Sequence, residues 1–591
     1  MGAEAREGPL VLFDGACGFC GIWIEYWREL TDSRVDYVPS QQAAANHPEV
    51  AAEEFTKSVQ LILPDGRVRS GAHAVFQLLS YTAINWPLHF YGTMPGFGRA
   101  SEFAYRFIAD HRSLFYWLTV VFFGKQIRPA SFQKIEWLFL RLLALVYLAA
   151  FLSLGRQVRG LIGTQGILPI SEYLDAVRNA LGADAWRIVP TLLWFSHSDA
   201  VLSGLCIAGA IVSIVLLAGF LERVCLILLY VLYLSLVSAG QEFLSFQWDM
   251  LLLEAGFLAI FLGSSRIVVW LFRILAFRLM FSSGAVKLLS GDPSWRNLSA
   301  MSYHYFTQPL PTPVAWYFEQ LPFWFQKFST ASVFAIELGI PFFIFLPRRA
   351  RCFGAWCLIG LQTLIPITGN YAFFNWLAIG LLIFLFDDAA VSRWIPSRQV
   401  SATPRKLAIA AAVLVVSLGS LQTIATFGGR LPRIASELVQ AVQPFGIVNT
   451  YGLFAVMTTT RPEITIQGSN DGANWSDYVF KYKPGPLDRR PSWVAPYQPR
   501  LDWQMWFAAL GSYRENPWFV NFMVRLLEGS PDVLMLVERD PFPNAPPRYV
   551  RAVISSYRFT NWSDRRVTGN WWKAGPAGVY LRAISLDDVR R

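Results

Sequence analysis

Charge is scarce in this sequence. Only 16% of its 591 residues are Asp, Glu, Lys or Arg, while 54% are hydrophobic; a soluble globular chain carries about 25% charged residues. Length and composition together exclude a single ordinary water-soluble domain. Cysteine is equally sparse. Of the six, Cys206, Cys225, Cys352 and Cys357 lie inside apolar runs, where a thiol packs as a small hydrophobe, so a disulfide-stapled secreted scaffold is excluded. His47, His73, His89 and His111 are scattered and no second Cys/His pair stands at ligand spacing, so no metal site is expected. The opening MGAEAREGPL has neither a basic start nor a long apolar stretch, and Arg6 stands where a myristoylation signal has Ser or Thr. The N-terminus is therefore expected in the cytosol. No internal repeat or low-complexity segment is evident.

What is present is apolar and aromatic. About nine stretches meet the length of a membrane span, near 135–155, 199–220, 224–241, 244–263, 267–289, 329–347, 351–368, 370–387 and 407–427. Val201–Leu221 and Cys352–Phe386 carry no charge, whereas Asp249, Glu254, Arg273, Arg278 and Lys287 interrupt the fourth and fifth stretches, one of which is a candidate re-entrant segment. The 23 Trp suit membrane interfaces. Basic residues fall between the apolar stretches: Lys125, Arg128, Lys134, Arg223, Arg266, the Arg348-Arg349-Arg351 cluster, Arg393, Arg398, Arg405 and Lys406 all fall on one side, and the short opposite loops have none. That is the positive-inside pattern of an N-in protein, and an odd span count puts the C-terminus outside. Topology and anionic lipid account for the net charge of +10, so the bilayer rather than nucleic acid is the expected partner.

Soluble regions flank the membrane part. Residues 9–128 read as α/β: the PLVLF strand, a helical pattern from Ile22 to Leu30, a hairpin over 59–71 turning at Pro64-Asp65-Gly66, then a helix. Residues 430–591 read as mainly β, a small sandwich with helical segments at Asp502–Leu510 and Pro517–Glu528 and a tight hairpin turn at Asn470-Asp471-Gly472. The expected architecture is multidomain: an N-terminal α/β domain (9–128), an all-α polytopic region (135–427) and a C-terminal β-rich domain (430–591).

The compact chemical motif is Cys17-Gly18-Phe19-Cys20, between a strand and a helix. A thiol at a helix N-terminus meets unpaired N–H groups and the positive end of the dipole, which favour thiolate. Cys17 is the expected nucleophile and Cys20 the resolving thiol. Half a zinc site and an inert relic are the alternatives for a lone pair. Asp14-Gly15-Ala16-Cys17-Gly18-Phe19-Cys20 resembles the D-G-x-C-x-x-C signature of the DCC family, and the similarity extends through 9–128. The resemblance implies a thioredoxin-like thiol–disulfide oxidoreductase with a redox-active Cys17–Cys20 disulfide, Asp14 in its active site, no cofactor and cytosolic thiol reductants as partners. No clear proline precedes the Ser58–Leu63 strand, where thioredoxins proper place one.

Inside the membrane region, Asp249, Glu254, Lys287 and His304 are candidate functional polar groups; an ion-pair network joining the fourth and fifth helices is the structural reading. FLSFQWDMLLLE, FRLMFSSGAVKLLSGDPSWRNL, YHYFTQPLPTPVAWY, QGSNDGANWSDYVFKYKPG and QPRLDWQMWFAAL resemble the lipase maturation factor family, over about residues 135–575. This implies a membrane factor for folding exported client proteins, lipases among them, with the C-terminal region acting on the far side of the membrane. Trp475, Trp503 and Trp506 are the client-binding candidates. Gly284-x-x-Lys287-Leu288 with Trp295 resembles a motif of the vitamin-K-dependent carboxylase, which implies a membrane enzyme centred on Lys287 as the alternative reading; a non-catalytic scaffold is the third. The fused architecture and absent targeting signal point to a bacterial inner membrane.

Overall fold

A computed structural model describes residues 8–590, except 83, 126, 264, 392–394 and 397–401. Arg6, Arg393 and Arg398 lie outside the described residues. The chain divides into two units, Met1–Ser131 with Phe345–Phe353, and Phe132–Ile344 with Gly354–Arg591.

In the first unit Leu10–Phe13 pairs in parallel with Asp36–Pro39 and antiparallel with Gln60–Ile62, which pairs antiparallel with Val68–Ser70. The helix Gly18–Thr31 links the parallel pair, and Gly71–Ser80 follows the hairpin. Leu10 and Leu12 pack with Phe55 and Ile62 on one face, Val11 and Phe13 with Ile24, Tyr37 and Leu61 on the other. Burial on both faces explains a strand that is apolar without alternation. Three further helices follow, Trp86–Thr93, Phe97–Asp110 and Arg112–Phe122. They leave Phe103, Phe107 and Trp117 exposed.

The second unit is mostly helical. Among the described residues seven helices are long and apolar enough to cross a membrane: Gln133–Gly155, Asp199–Ala218, Glu222–Ala239, Arg266–Leu289, Phe323–Phe345, Arg348–Thr368 and Arg405–Thr426. The two other expected spans are shorter, Gln247–Ala259 and Phe374–Leu385. At 1.5 Å per residue each extends roughly 20 Å, less than the ~30 Å hydrocarbon layer. Both are almost wholly buried, so protein rather than lipid surrounds them. One end of each lies beside the start of a long helix. Lys134 and Ile135 N–H groups donate to Asp388 just past one short helix, and Thr403 Oγ1 donates to Leu262 O just past the other while accepting from Arg223. At the opposite ends Asn370 and Gln247 contact the C-terminal region.

Close packing sets helix spacing. Asp199–Ala218 buries Leu202, Cys206, Gly209, Ala210, Ser213 and Leu216, a stripe at helical spacing. A methyl at Gly209 would overlap the Phe151 ring of the neighbouring helix.

The C-terminal region holds one five-stranded sheet. Its central pair, Arg461–Ser469 and Tyr549–Phe559, is antiparallel from Arg461↔Tyr557 to Ser469↔Tyr549. Ser476–Asp477 pairs with the first strand, and Trp572–Ala574 and Gly578–Ile584 with the second. A separate pair, Val479–Phe480 with Val537–Arg539, is too short to make a second layer. Instead of a partner sheet, the helices Arg500–Ala509 and Pro517–Leu527 pack on the central strands. Strand alternation reports that one face is buried but not what buries it. The turn at Asn470-Asp471-Gly472 is also wider than expected: pairing ends at Gly468↔Ser476, and the Asp471 carboxylate holds the loop by accepting from the N–H groups of Ala473 and Asn474.

Candidate functional site

The thiol pair sits where strand chemistry hands over to helix chemistry. Cys17 is the N-cap of Gly18–Thr31, and its Sγ accepts from the Cys20 N–H at 3.2 Å. The Cys17 sulfur thus takes up one of the orphan N–H groups of the helix start. Burial, and then the neighbouring Cys17, push the Cys20 thiol up to about 12. Both cysteines are free thiols. Asp14 Oδ1 accepts from the Ala16 N–H at 3.0 Å and the Gln41 amide at 2.9 Å, so it shapes the turn before Cys17. Its other oxygen lies 3.7 Å from Arg112, whose guanidinium also donates to the carbonyls of Thr56 and Lys57. Arg112 and Gln41 were not candidates; only their place within the 9–128 similarity could have suggested them. Cys20, Trp23, Trp27, Tyr105 and Phe115 line an adjacent apolar cavity of about 520 Å³.

The other polar candidates divide. Asp249 and Glu254 are anchors for the C-terminal region. Asp249 is fully buried and takes a two-point ion pair from Arg500, at 2.8 and 2.9 Å. Tyr233 donates to the same carboxylate, and Arg500 also donates to Phe243 O at 2.6 Å. Glu254 accepts from Arg278 at 2.8 Å, which is the expected bond to the next helix, but also from the Asn449 N–H at 2.8 Å and Tyr451 Oη at 2.7 Å. The network expected between two helices therefore extends into residues 447–500. A second buried arginine, Arg461, donates to the carbonyls of Phe306, Gln308 and Pro309 and pairs with Glu463. Asn370 joins both sides: Nδ2 donates to Ser492 O at 2.8 Å and Oδ1 accepts from the Val494 N–H at 2.7 Å. Arg461 and Arg500 escaped the sequence reading because an arginine in a polar-looking segment gives no sign that its partner is a membrane helix.

The aromatic candidates are corrected. Trp503 is 3% and Trp506 8% exposed. Trp503 packs edge-on to Trp248 of a membrane helix, and Trp506 Nε1 donates to Thr307 O at 2.8 Å. Neither ring is free to meet a client; a tryptophan-rich segment is as good a seam as a binding face. Trp475 is half-buried under the Arg551 guanidinium, 4.1 Å from its centroid. The segment 290–325 is likewise covered: its Tyr305, Phe306 and Trp316 form one core with Tyr557, Phe559, Trp571 and Trp572.

Lys287 and His304 come together. Lys287 Nζ donates to Glu337 at 2.6 Å and Ser283 O at 3.1 Å, and lies over the Trp295 ring. An amine held by a carboxylate is not the free base that a carboxylase-like mechanism needs. His304 Nε2 lies 3.4 Å from Tyr371 Oη, and burial with the Lys287 ammonium nearby pushes the ring down to about 4. Both side chains line one cavity.

Comparison with known proteins agrees with this division. Residues 135–393 match the lipase maturation factor transmembrane domain and 447–581 the lipase maturation factor C-terminal domain. Lipase maturation factor 2 of Gallus gallus is 36% identical, covering 76% of this chain and 81% of the relative. Lipase maturation factor 1 of Bos taurus is 37% identical, covering 79% of this chain and 91% of the relative. The chain belongs to the lipase maturation factor family. The human lipase maturation factor 1 is 36% identical over 78% of the chain. Residues 11–118 match a DCC1-like thiol-disulfide oxidoreductase, so this family member carries a thiol domain ahead of its membrane region. No solved structure matches the chain.

Proposed function

We propose that this protein is a membrane-embedded maturation factor for exported proteins, lipases among them, carrying a cytosolic thiol–disulfide unit. The observation that carries the reading is the match to both family regions in one chain, with the two regions locked by buried ionic contacts into a single unit. A client handler needs its outer region held rigidly at the membrane, and the Asp249–Arg500 and Arg461 contacts supply that.

Nine crossings fit the chain, since each short helix has one end beside the start of a long helix and the other against the C-terminal region. The end bearing Lys134, Arg223, Arg405 and Lys406 is then cytosolic, and residues 447–590 lie outside. On this topology Cys17 and Cys20 face the cytosol and do not oxidise clients directly. Cys206 and Cys225 are buried, and Cys225 Sγ donates to Phe220 O, which fits packing better than electron relay. The pair is therefore a redox sensor or accessory whose nucleophile is Cys17, and the parallel–antiparallel sheet order supports a thioredoxin-like domain. The test is complementation: a secreted lipase expressed in cells lacking their own maturation factor gains activity with this protein and not with an empty vector. Equal lipase activity in both would refute the reading.

A further inference from the structure

The cavity beside Lys287 lies in the membrane region, with Leu453, Phe454 and Met457 of the C-terminal region among its lining residues. It is about 460 Å³, within the range of small-molecule sites. Met280, Phe325, Val333, Ile336, Leu361 and Ile365 make its walls apolar. Phe328 and Leu364 line it and are also 62% and 56% exposed on the outside of spanning helices, so it opens between those helices toward hydrocarbon.

Its deep end is polar but carries no free charge. Lys287 and Glu337 neutralise each other at 2.6 Å, and His304 is uncharged at neutral pH. An anionic head group finds no unpaired cation among these lining residues, and a cationic one no unpaired carboxylate. One acceptor is left over. Asn375 lines the cavity and is 1% exposed; its Nδ2 donates to Gln362 Oε1 at 2.8 Å, but its Oδ1 accepts nothing. A buried orphan acceptor costs about 1–3 kcal/mol, so native structures rarely keep one without a ligand or water to donate to it.

We propose that this cavity binds an uncharged amphiphile drawn from the bilayer, a hydrocarbon body with a hydroxyl head that donates to Asn375 Oδ1. The walls select the chain, the neutral polar end selects against charged heads, and the lateral mouth admits the molecule without passage through water.

The test is photolabelling of the full-length protein in phospholipid nanodiscs. One probe is a hexadecyl chain with a diazirine and a terminal alcohol; the other ends in a sulfate. The alcohol is expected to label the segments 325–337 and 361–375 well above its labelling of Asp199–Ala218, a helix with a broad exposed face. Excess hexadecanol abolishes the difference, and the sulfate probe shows none. Ser332→Trp, which sets an indole among the lining side chains, removes the labelling, and Asn375→Leu lowers it about fivefold, the affinity one hydrogen bond is worth. Equal labelling by both probes, no excess over Asp199–Ala218, or labelling unaffected by hexadecanol overturns the proposal. These three outcomes are read on the unaltered protein and do not depend on a variant folding or on any client.

Discussion

Arg500→Met isolates the contact on which the two-region unit depends most. The substitution keeps an unbranched side chain in place but leaves the Asp249 carboxylate, fully buried, without its cation, and Phe243 O without its donor. Removing one partner of a buried ion pair costs about 3–5 kcal/mol, far above the 0–1 of an exposed pair. Most of that is the uncompensated charge, so neutralising it rescues much of the loss. Asp249→Asn retains an acceptor for Tyr233, which donates to that carboxylate in the native protein. The double variant is therefore expected to recover at least about 2 kcal/mol relative to Arg500→Met alone. The assay is detergent-solubilised unfolding with increasing dodecyl sulfate, followed by tryptophan fluorescence, because Trp248 and Trp503 meet edge to face at this seam. A single variant within about 1 kcal/mol of the parent, or additive losses in the double variant, would refute the reasoning.

In the reduced protein iodoacetamide at pH 8 is expected to modify Cys17 well before Cys20, whose thiol is pushed up to about 12; equal rates, read by peptide mass spectrometry, contradict the assignment. Because that pKa is raised, the unfolded chain ionises first, so the stability Cys20 contributes is present below about 9 and is lost as pH rises toward 12; Cys20→Ala makes this slope shallower in thermal melts of the reduced protein, and the buried Tyr37, also pushed up to about 12, keeps the remainder. Gly209→Ala forces a methyl into the Phe151 ring and should cost about 1–3 kcal/mol in the same dodecyl sulfate assay. Trp503→Ala, at a buried seam, should lower folded yield by losing about 3–5 kcal/mol of packing; normal yield with weakened client binding would restore Trp503 as a contact residue.

Much of the membrane region was legible because a long apolar run has few readings. Gln133–Gly155 and Asp199–Ala218 fall within two residues of the expected spans. The strand–turn–helix around Cys17 was equally clear, since Leu10–Phe13 is buried on both faces and the motif follows it directly. What stayed hidden was partnership across long sequence separation. Asp249 and Glu254 announced themselves as costly charges, but nothing local says that their partners stand near residues 449–500. The same ignorance turned Trp503 and Trp506 into surface candidates and a sheet backed by helices into a sandwich. Gln247–Ala259 reads as a span by hydropathy and folds short because its polar groups are satisfied by protein rather than lipid.

The central claim is that the thiol pair and the C-terminal region face opposite sides of the membrane. It is tested by placing a reporter cysteine at Val567, 85% exposed in the C-terminal region, and treating intact cells with a membrane-impermeant maleimide, then a permeant one of different mass. The account predicts the impermeant mass on the Val567→Cys peptide and only the permeant mass on the peptide bearing Cys17 and Cys20. Impermeant label on both peptides would contradict it, and with it the assignment of the pair as a cytosolic accessory.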